Sequence, residues 1–373
     1  MAILNTLDEA SAKTALETWL ARMLPAADDV AISDLSIPQS AGMSMTTVLF
    51  GASWTENGNS VTAELVARVA PPQPGVFMDP DLEKEFTLLS SLAERTALEV
   101  PKALWYEKDP AVLGSEFVVF ERAHGDVPPD DPPYVLEGWV LDLEPNRRGA
   151  LYDRAVDVVA EVAAVDWQAL GLGELLDKPQ YGPTGIDQQL GYWEDFYRWA
   201  SRDGKSSPTV EAALQWAKAN KPEGEDLTLN WGDARIGNIM YRPDDLSVAA
   251  VLDWEMACIA SPEMDLGWLI LLVRYYSEGI GVPIPDGLPD GQALIAAWER
   301  ATGRAARHVA FYEAFAALRL SIIMVRAGNL LISVGAFPAD HPMPVSNPAS
   351  QLLATLLDLP APQGESASYV EAR

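Results

Sequence analysis

Residues 229–238 read LNWGDARIGN, and fifteen residues beyond Asn238 the run VAAVLDWE ends in Asp253 and Glu255. Two readings compete for this stretch. It can be a turn leading into a strand, with ordinary polar caps. It can also be a site for a magnesium-bound triphosphate, which needs hard oxygen ligands close together. The remainder of the sequence decides between them.

The chain has 373 residues, 49% of them hydrophobic, with 12 tryptophans. That is enough apolar material for a buried core in one large domain or two ordinary ones. Lys and Arg number 26 against 54 Asp and Glu, a formal net charge of −28. Such a field repels nucleic acid and anionic membrane surfaces and would favour a cationic small molecule, with a solvated acidic surface as the commoner explanation. The single cysteine, Cys258, excludes an intrachain disulfide and a cysteine metal cage, and it reads as a buried thiol. His124, His308 and His341 are scattered without ligand spacing; His124 reads as a surface turn residue. The N-terminal stretch mixes acids into its apolar positions and has no signal-peptide core. The most apolar segment, FAALRLSIIMVRAGNLLISVGAF, is interrupted by Arg319 and Arg326, which favours a buried helix over a membrane span. A cytoplasmic location with no membrane partner is the expectation; the sequence is silent on oligomeric state.

Periodicity divides the chain in two. Residues 8–24 have helical spacing, and strand-like runs follow at 30–37, 46–54 and 61–69. The second and third are joined through Asn57-Gly58, a hairpin signal. Asp79-Pro80 is expected to open a helix running to about Arg95, before two further strands in KALWYEK and SEFVVFER. After the acid- and proline-rich AHGDVPPDDPP, helical spacing dominates at 148–166, 185–203, 208–220 and beyond 262, interrupted by short apolar runs in 227–255. The expectation is an α+β, bilobal, protein-kinase-like fold. An N-lobe (1–124) carries a small antiparallel five-stranded sheet with one helix inserted, and a larger, mostly helical C-lobe (125–373) follows, with a cleft between them.

Phosphoryl transfer requires a group to orient the acceptor hydroxyl, oxygen ligands for magnesium, and positive charge on the phosphates. Asp233 and Asn238 have the spacing of a kinase catalytic loop, in which the aspartate takes the hydroxyl proton and the asparagine holds a metal. Asn238 and Asp253 both offer the oxygen donors that magnesium demands. Gly232 and Gly237 permit a tight backbone, and Asp253 falls at the end of a predicted strand.

With these residues in place, WGDARIGNIMY followed by AAVLDWEMACIASPEMDLGWLI resembles the signature block of the aminoglycoside phosphotransferase and choline kinase-like family. The likeness is greatest to the branch with kinase-like domains fused to acyl-CoA dehydrogenases and to actinobacterial members of unassigned substrate. AAVDWQALGLGELLDKPQYGPTGIDQQLGYWEDFY is similar to that branch's C-lobe insert. The resemblance runs from about residue 28 to at least 280. It implies a catalytic role for Asp233 and magnesium ligation by Asn238 and Asp253. It also implies a brace on the catalytic loop from Asp265 and a supporting acid in Glu255. Most members of the family have His-Gly-Asp where this chain has Trp231-Gly232-Asp233, and the indole is expected to substitute structurally.

The resemblance places further residues in the N-lobe. Ser40, Gly42 and Ser44 fall in the loop expected to cover the phosphates, although neither Gly-x-Gly-x-x-Gly nor a Walker motif occurs in the chain. Arg68 stands where kinases keep a lysine on the phosphates, with Glu85, ahead of Glu83, as its partner from the next helix. Phe120, Glu121 and Arg122 would form the adenine hinge. In the C-lobe, Tyr192, Trp193 and Tyr197 are candidates for the acceptor pocket, with core packing as the plain alternative.

The function so implied is ATP-dependent transfer of a phosphoryl group to a small-molecule hydroxyl, with Mg2+ as cofactor. The acceptors considered are aminoglycoside-like, hydroxyacyl-CoA, or an aromatic or sterol-like alcohol. The alternative is a non-catalytic nucleotide-binding pseudokinase or scaffold, suggested by Trp231 and the glycine-poor loop. Intact Asp233, Asn238 and Asp253 count against it. A protein kinase is disfavoured because VLDWE stands where Asp-Phe-Gly would be and no Ala-Pro-Glu follows.

Overall fold

The computed structural model describes residues 7–38, 45–72 and 75–368. The chain divides into two compact units, Met1–Ala123 and His124–Arg373. Each is described in turn.

Unit 1 opens with α1 (Glu9–Met23), whose first turn is capped by the Asp8 side chain accepting from the Ser11 N–H. Three strands follow: β1 (Ala27–Ser36), β2 (Thr46–Glu56) and β3 (Asn59–Val69). The β2–β3 connection has only Asn57 and Gly58 between the paired residues Glu56 and Asn59. Both have positive φ, 51° and 78°, the conformation a two-residue hairpin turn requires and that Asn-Gly tolerates. After α2 (Leu82–Arg95) come β4 (Ala103–Glu107) and β5 (Phe117–Glu121). The five strands form one antiparallel sheet in the order β1-β2-β3-β5-β4. Leu16, Trp19 and Leu20 of α1 join Val48, Phe50, Leu65, Ala67, Phe117 and Val119 of the sheet in one core. The Trp19 indole stays within it by donating to Glu107 Oε2 at 2.9 Å. One boundary differs from expectation. α2 starts at Leu82 under an Asp81 cap, because Asp81 and not Asp79 has its carboxylate within reach of a first-turn N–H, that of Lys84.

Unit 2 is mostly helical. A four-residue α3 (Trp139–Asp142) precedes α4 (Pro145–Ala163), which has proline at its first position, where no N–H is needed. Then come α5 (Leu172–Leu176), α6 (Ile186–Ser201) and α7 (Pro208–Asn220). Four short strands interrupt the helices. β6 (Thr228–Asn230) pairs with β9 (Cys258–Ala260), and β7 (Ile239–Tyr241) pairs with β8 (Val248–Val251), both antiparallel. Next are α8 (Glu263–Tyr275), α9 (Gly291–Thr302), α10 (Val309–Ser333) and α11 (Pro348–Leu356). α10 is long and apolar enough to cross a membrane by length and composition alone, yet 78% of its most apolar window is buried within the protein. It packs along α8, α6, α11 and α7, so it is the central helix of this unit.

Together the antiparallel sheet with its inserted helix and the helical unit give the expected α+β, protein-kinase-like fold.

Candidate active site

β6 leads directly into the turn Trp231-Gly232-Asp233, which is fixed by its backbone groups. Asp265, in the first turn of α8, accepts the Trp231 N–H at 2.7 Å and the Gly232 N–H at 2.8 Å. Its carboxyl is only 2% exposed. Burial, working against those two N–H bonds, pushes it up to about 6. From the opposite side Arg319 of α10 donates Nη2–H to the Gly232 carbonyl at 2.8 Å. Gly232 has φ +95°, and a Cβ there would collide with the Met256 carbonyl, so no other residue fits. The Trp231 indole is fully buried and donates to the Leu252 carbonyl at 2.7 Å. It therefore acts as a packed strut tying the turn to the segment before Asp253.

Asp233 is half-buried, and each of its oxygens is engaged. Oδ1 accepts from Trp268 Nε1 at 2.7 Å, and Oδ2 from Asn238 Nδ2 at 2.8 Å. Arg235 brings Nε to 3.3 Å from Oδ1 and 3.4 Å from Oδ2. A single 3-10 turn, Ile236–Asn238, carries the asparagine back to the aspartate, where Nδ2 also reaches the Asp233 carbonyl at 3.2 Å. The amide nitrogen is thus spent on Asp233, and Oδ1 remains as the acceptor of that side chain.

Asp253 is brought to the same place by pairing of β7 with β8. Ile239 stands opposite Val251, and the Leu252 N–H donates to the Asn238 carbonyl at 2.8 Å. Asp253 then turns with φ +56°, a conformation that a short polar side chain accepts more readily than others. The half-buried Glu255 follows in the same turn. Among the described residues there is no group of three or more His, Cys, Asp or Glu able to cage a metal. One amide oxygen and one carboxylate nevertheless suit Mg2+, which takes few protein ligands and completes its shell with phosphate oxygens and water.

Arg235 also reaches outward. Its Nη1 lies 2.7 and 2.6 Å from the two oxygens of Asp130, and the Tyr276 hydroxyl donates to Asp130 Oδ1 at 2.6 Å. Burial works against the guanidinium charge, but Asp130 and Asp233 outweigh it and keep Arg235 protonated well above its ordinary value. Arg319 is different. It is 1% exposed and lies 4.6 Å from the ring centre of Trp268 and 5.2 Å from that of Trp193. Its Nε and Nη1 have no hydrogen-bond partner, and burial lowers its proton affinity. The two indole faces offset part of that cost by cation–π attraction.

In unit 1, Arg68 of β3 meets Glu85 of α2 at 3.0 Å, with Glu85 3% exposed. Glu83 faces outward and lies 3.7 Å from Lys108. Phe120 is buried in β5, while the side chains of Glu121 and Arg122 lie 3.6 Å from Lys102 and Glu64 on the surface. Their N–H groups donate within the sheet, to the Lys102 and Glu64 carbonyls, so neither is left to read a base. Ser40, Gly42 and Ser44 lie outside the described residues.

The three aromatic candidates on α6 are placed differently from one another. Trp193 is stacked on Phe196 in the core. Tyr197 is buried, with its hydroxyl donating to Glu211 at 2.9 Å. Tyr192 is half-buried, its ring 4.0 Å from Lys178 Nζ. Cys258 is buried in β9. A separate cavity of about 190 Å³ is lined by Glu225, Ser261, Glu263, Arg307 and Tyr312 and includes none of Asp233, Asn238 or Asp253.

Sequence reasoning passed over Trp268, Arg319, Arg235, Asp130 and Tyr276. Two of them had a signal. Arg235 lies inside the decisive motif, and Trp268 lies three residues after Asp265, on the same face of a helix. Asp130, Tyr276 and Arg319 had none.

A loop of Asp-x4-Asn, an aspartate after the next hairpin, and an Arg–Glu pair between strand and helix have the pattern of the protein-kinase-like class. The phosphotransferase enzyme family matches residues 41–312, well over half of the chain. The chain belongs to that family and is a phosphotransferase. Among curated proteins, acyl-CoA dehydrogenase family member 10 of Mus musculus is 31% identical over 209 residues, covering 56% of this chain and 18% of that protein. The chain spans between 18% and 32% of the length of the first curated relatives it matches. A solved Ralstonia eutropha protein, assigned provisionally to the aminoglycoside phosphotransferases, superposes with a TM-score of 0.63 at 25% identity, covering 92% of this chain and 95% of that one. Aminoglycoside phosphotransferase APH(4)-Ia, in a ternary complex with ADP and hygromycin B, shares the fold at a TM-score of 0.56 and 15% identity, covering 92% and 98%.

Proposed function

We propose that the protein transfers the γ-phosphoryl group of ATP to a hydroxyl of a small molecule, with Asp233 as the group that orients and deprotonates that hydroxyl. The observation that carries this reading is the seating of Asp233. It is half-exposed and held on both oxygens, within a loop that also presents Asn238 and lies beside the turn carrying Asp253. In the transfer the acceptor oxygen forms a bond to the γ-phosphorus. The bond from that phosphorus to the β–γ bridging oxygen breaks, ADP leaves, and the hydroxyl proton passes to Asp233. Asn238 and Asp253 would hold magnesium, which when bound neutralises charge on the phosphate oxygens. Arg68, held by Glu85, would take the phosphates with its guanidinium.

Several acceptors fit. The net charge of −28 favours a cationic, hydroxyl-bearing molecule such as an aminoglycoside. The acyl-CoA dehydrogenase relatives support a hydroxyacyl-CoA, and an aromatic or sterol-like alcohol would suit the aromatic surface near Tyr192. Use of ATP agrees with the ADP complex of the aminoglycoside relative, and a cytoplasmic location is part of the same proposal. A scaffold role would leave the arrangement around Asp233 without a purpose.

The test is calorimetric titration of ATP into the protein with and without magnesium, alongside Asp253→Ala and an ADP-release assay with Asp233→Asn. Magnesium-dependent binding lost in Asp253→Ala, with turnover lost and binding kept in Asp233→Asn, is expected. No nucleotide binding under either condition, or full turnover by Asp233→Asn, would overturn the reading.

A further inference from the structure

A carboxylate that takes a proton from a substrate must point one oxygen at it, and a half-exposed aspartate has several rotamers available. Here the choice is removed chiefly by two short bonds from neutral donors, one on each oxygen, Trp268 Nε1 on Oδ1 at 2.7 Å and Asn238 Nδ2 on Oδ2 at 2.8 Å, with the charged Arg235 Nε farther off at 3.3 and 3.4 Å. Asn238 belongs to the catalytic loop itself. Trp268 does not: it comes from α8, one turn beyond Asp265, and its side chain is 2% exposed. An indole is a donor only, so it can hold a charged carboxylate but cannot accept a proton from one.

The ring is itself fixed. Arg319 lies against its face at 4.6 Å and, through Nη2, holds the Gly232 carbonyl one residue before Asp233. The same guanidinium therefore seats both the turn that carries the aspartate and the ring that grips it. A buried cation with two unpartnered nitrogens is costly, and packing alone would be served as well by an apolar side chain. The arrangement makes sense where a fixed relation between ring and turn is required.

We propose that Trp268 is a positioning residue for phosphoryl transfer, its indole N–H fixing the carboxylate of Asp233 and its ring fixed in turn by Arg319. The assignment rests on Asp233 being the group that receives the acceptor's proton. Trp268 is buried and acts through Asp233, so its loss should slow turnover without weakening nucleotide binding.

Two measurements on the full chain test this. In 15N-labelled protein the Trp268 indole N–H resonance is identified by its loss in Trp268→Phe. It should lie downfield and move upfield in Asp233→Ala; a resonance indifferent to Asp233→Ala overturns the proposal. The second measurement is steady-state ADP release from magnesium-ATP, with water as the acceptor. Trp268→Phe should lower kcat by about tenfold or more while KM for magnesium-ATP stays within about twofold, with partial recovery in Trp268→His, whose ring can still donate. An unchanged kcat, or kcat and KM altered in proportion, overturns it. If Trp268→Phe does not fold, Trp268→His serves to identify the resonance, and its shift with Asp233→Ala decides. If Asp233→Asn retains turnover, the reading of Asp233 as the base fails; if the wild type releases no ADP to water, the resonance alone decides the proposal. The resonance still reports separately whether Trp268 holds its carboxylate.

Discussion

Arg235 and Asp130 are 105 residues apart in the chain, yet Arg235 Nη1 lies within 2.7 Å of both carboxylate oxygens of Asp130. The pair ties the acid- and proline-rich segment after residue 123 to the loop that carries Asp233. Tyr276 adds a third attachment by donating to Asp130. Because Arg235 also reaches Asp233, Asp130 decides how much of its positive charge is felt at the proposed base.

Asp130→Ala leaves Arg235 without its main counter-charge in a site where its side chain is 17% exposed. Asp130 itself is 30% exposed, so the cost should fall below that of a fully buried pair, about 1–3 kcal/mol. Urea unfolding of Asp130→Ala checks this. A midpoint unchanged from wild type would show that the pair is a surface contact of little weight.

Gly232→Ala should be among the most damaging single-methyl changes in the chain. The positive φ disfavours any side chain, and the Cβ would meet the Met256 carbonyl, which belongs to backbone and cannot swing aside. A loss of about 2–4 kcal/mol is expected by thermal or urea unfolding, together with loss of turnover. Ala at the exposed, open Gly58 site provides a control, since it meets strain but no obstacle.

Asp265 gives a pH signature. Its carboxyl is raised from 3.8 to about 6 by burial, so the folded protein holds that proton more tightly than the unfolded chain does. Its contribution to stability is therefore whole below pH 3.8 and is lost as pH rises through about 6. In Asp265→Asn this dependence is absent, and one of the two backbone N–H groups loses its acceptor. The variant should be less stable in acid, and its deficit should shrink by up to about 3 kcal/mol between roughly pH 4 and 6. Urea midpoints of both proteins across that range provide the comparison. A deficit that grew with pH would mean that the two N–H bonds outweigh burial.

Arg68 and Glu85 should show energetic coupling. A double-mutant cycle with Arg68→Met and Glu85→Gln is expected to give about 1–3 kcal/mol, since Glu85 is 3% exposed. Arg68→Lys should keep part of the stability while weakening magnesium-ATP binding, because an ammonium cannot engage carboxylate and phosphate with a planar fork. Calorimetry on that variant separates the two effects.

What could be read in the sequence was local. The Asn57-Gly58 turn declares itself because few dipeptides accept two positive φ values in succession. Asp233, Asn238 and Asp253 stand out because one short turn and one hairpin bring them together, so their spacing is itself the geometry. The start of α2 was misjudged by the ambiguity of Asp79, Pro80 and Asp81, which all suit a helix entrance. β9 has three residues, too few for any periodicity. The supports of Asp233 were hidden for another reason. Asp130 and Arg319 come from 105 residues before Arg235 and 87 residues after Gly232, and no spacing rule reaches that far. Arg319 was noticed only as an interruption in an apolar segment. That reading explained why the helix is a buried one and missed what the guanidinium holds.

The recognisable family region stops at residue 312, whereas α10 runs from Val309 to Ser333 and Arg319 lies inside it. A chain shortened at that limit would keep Asp233, Asn238, Asp253 and Trp268. It would lose the guanidinium that fastens the Gly232 carbonyl and most of the central helix of its unit. The stretch that the family match covers is thus shorter than the stretch that must fold for the loop to hold its shape. Anyone trimming or fusing this protein should place the cut by the path of α10.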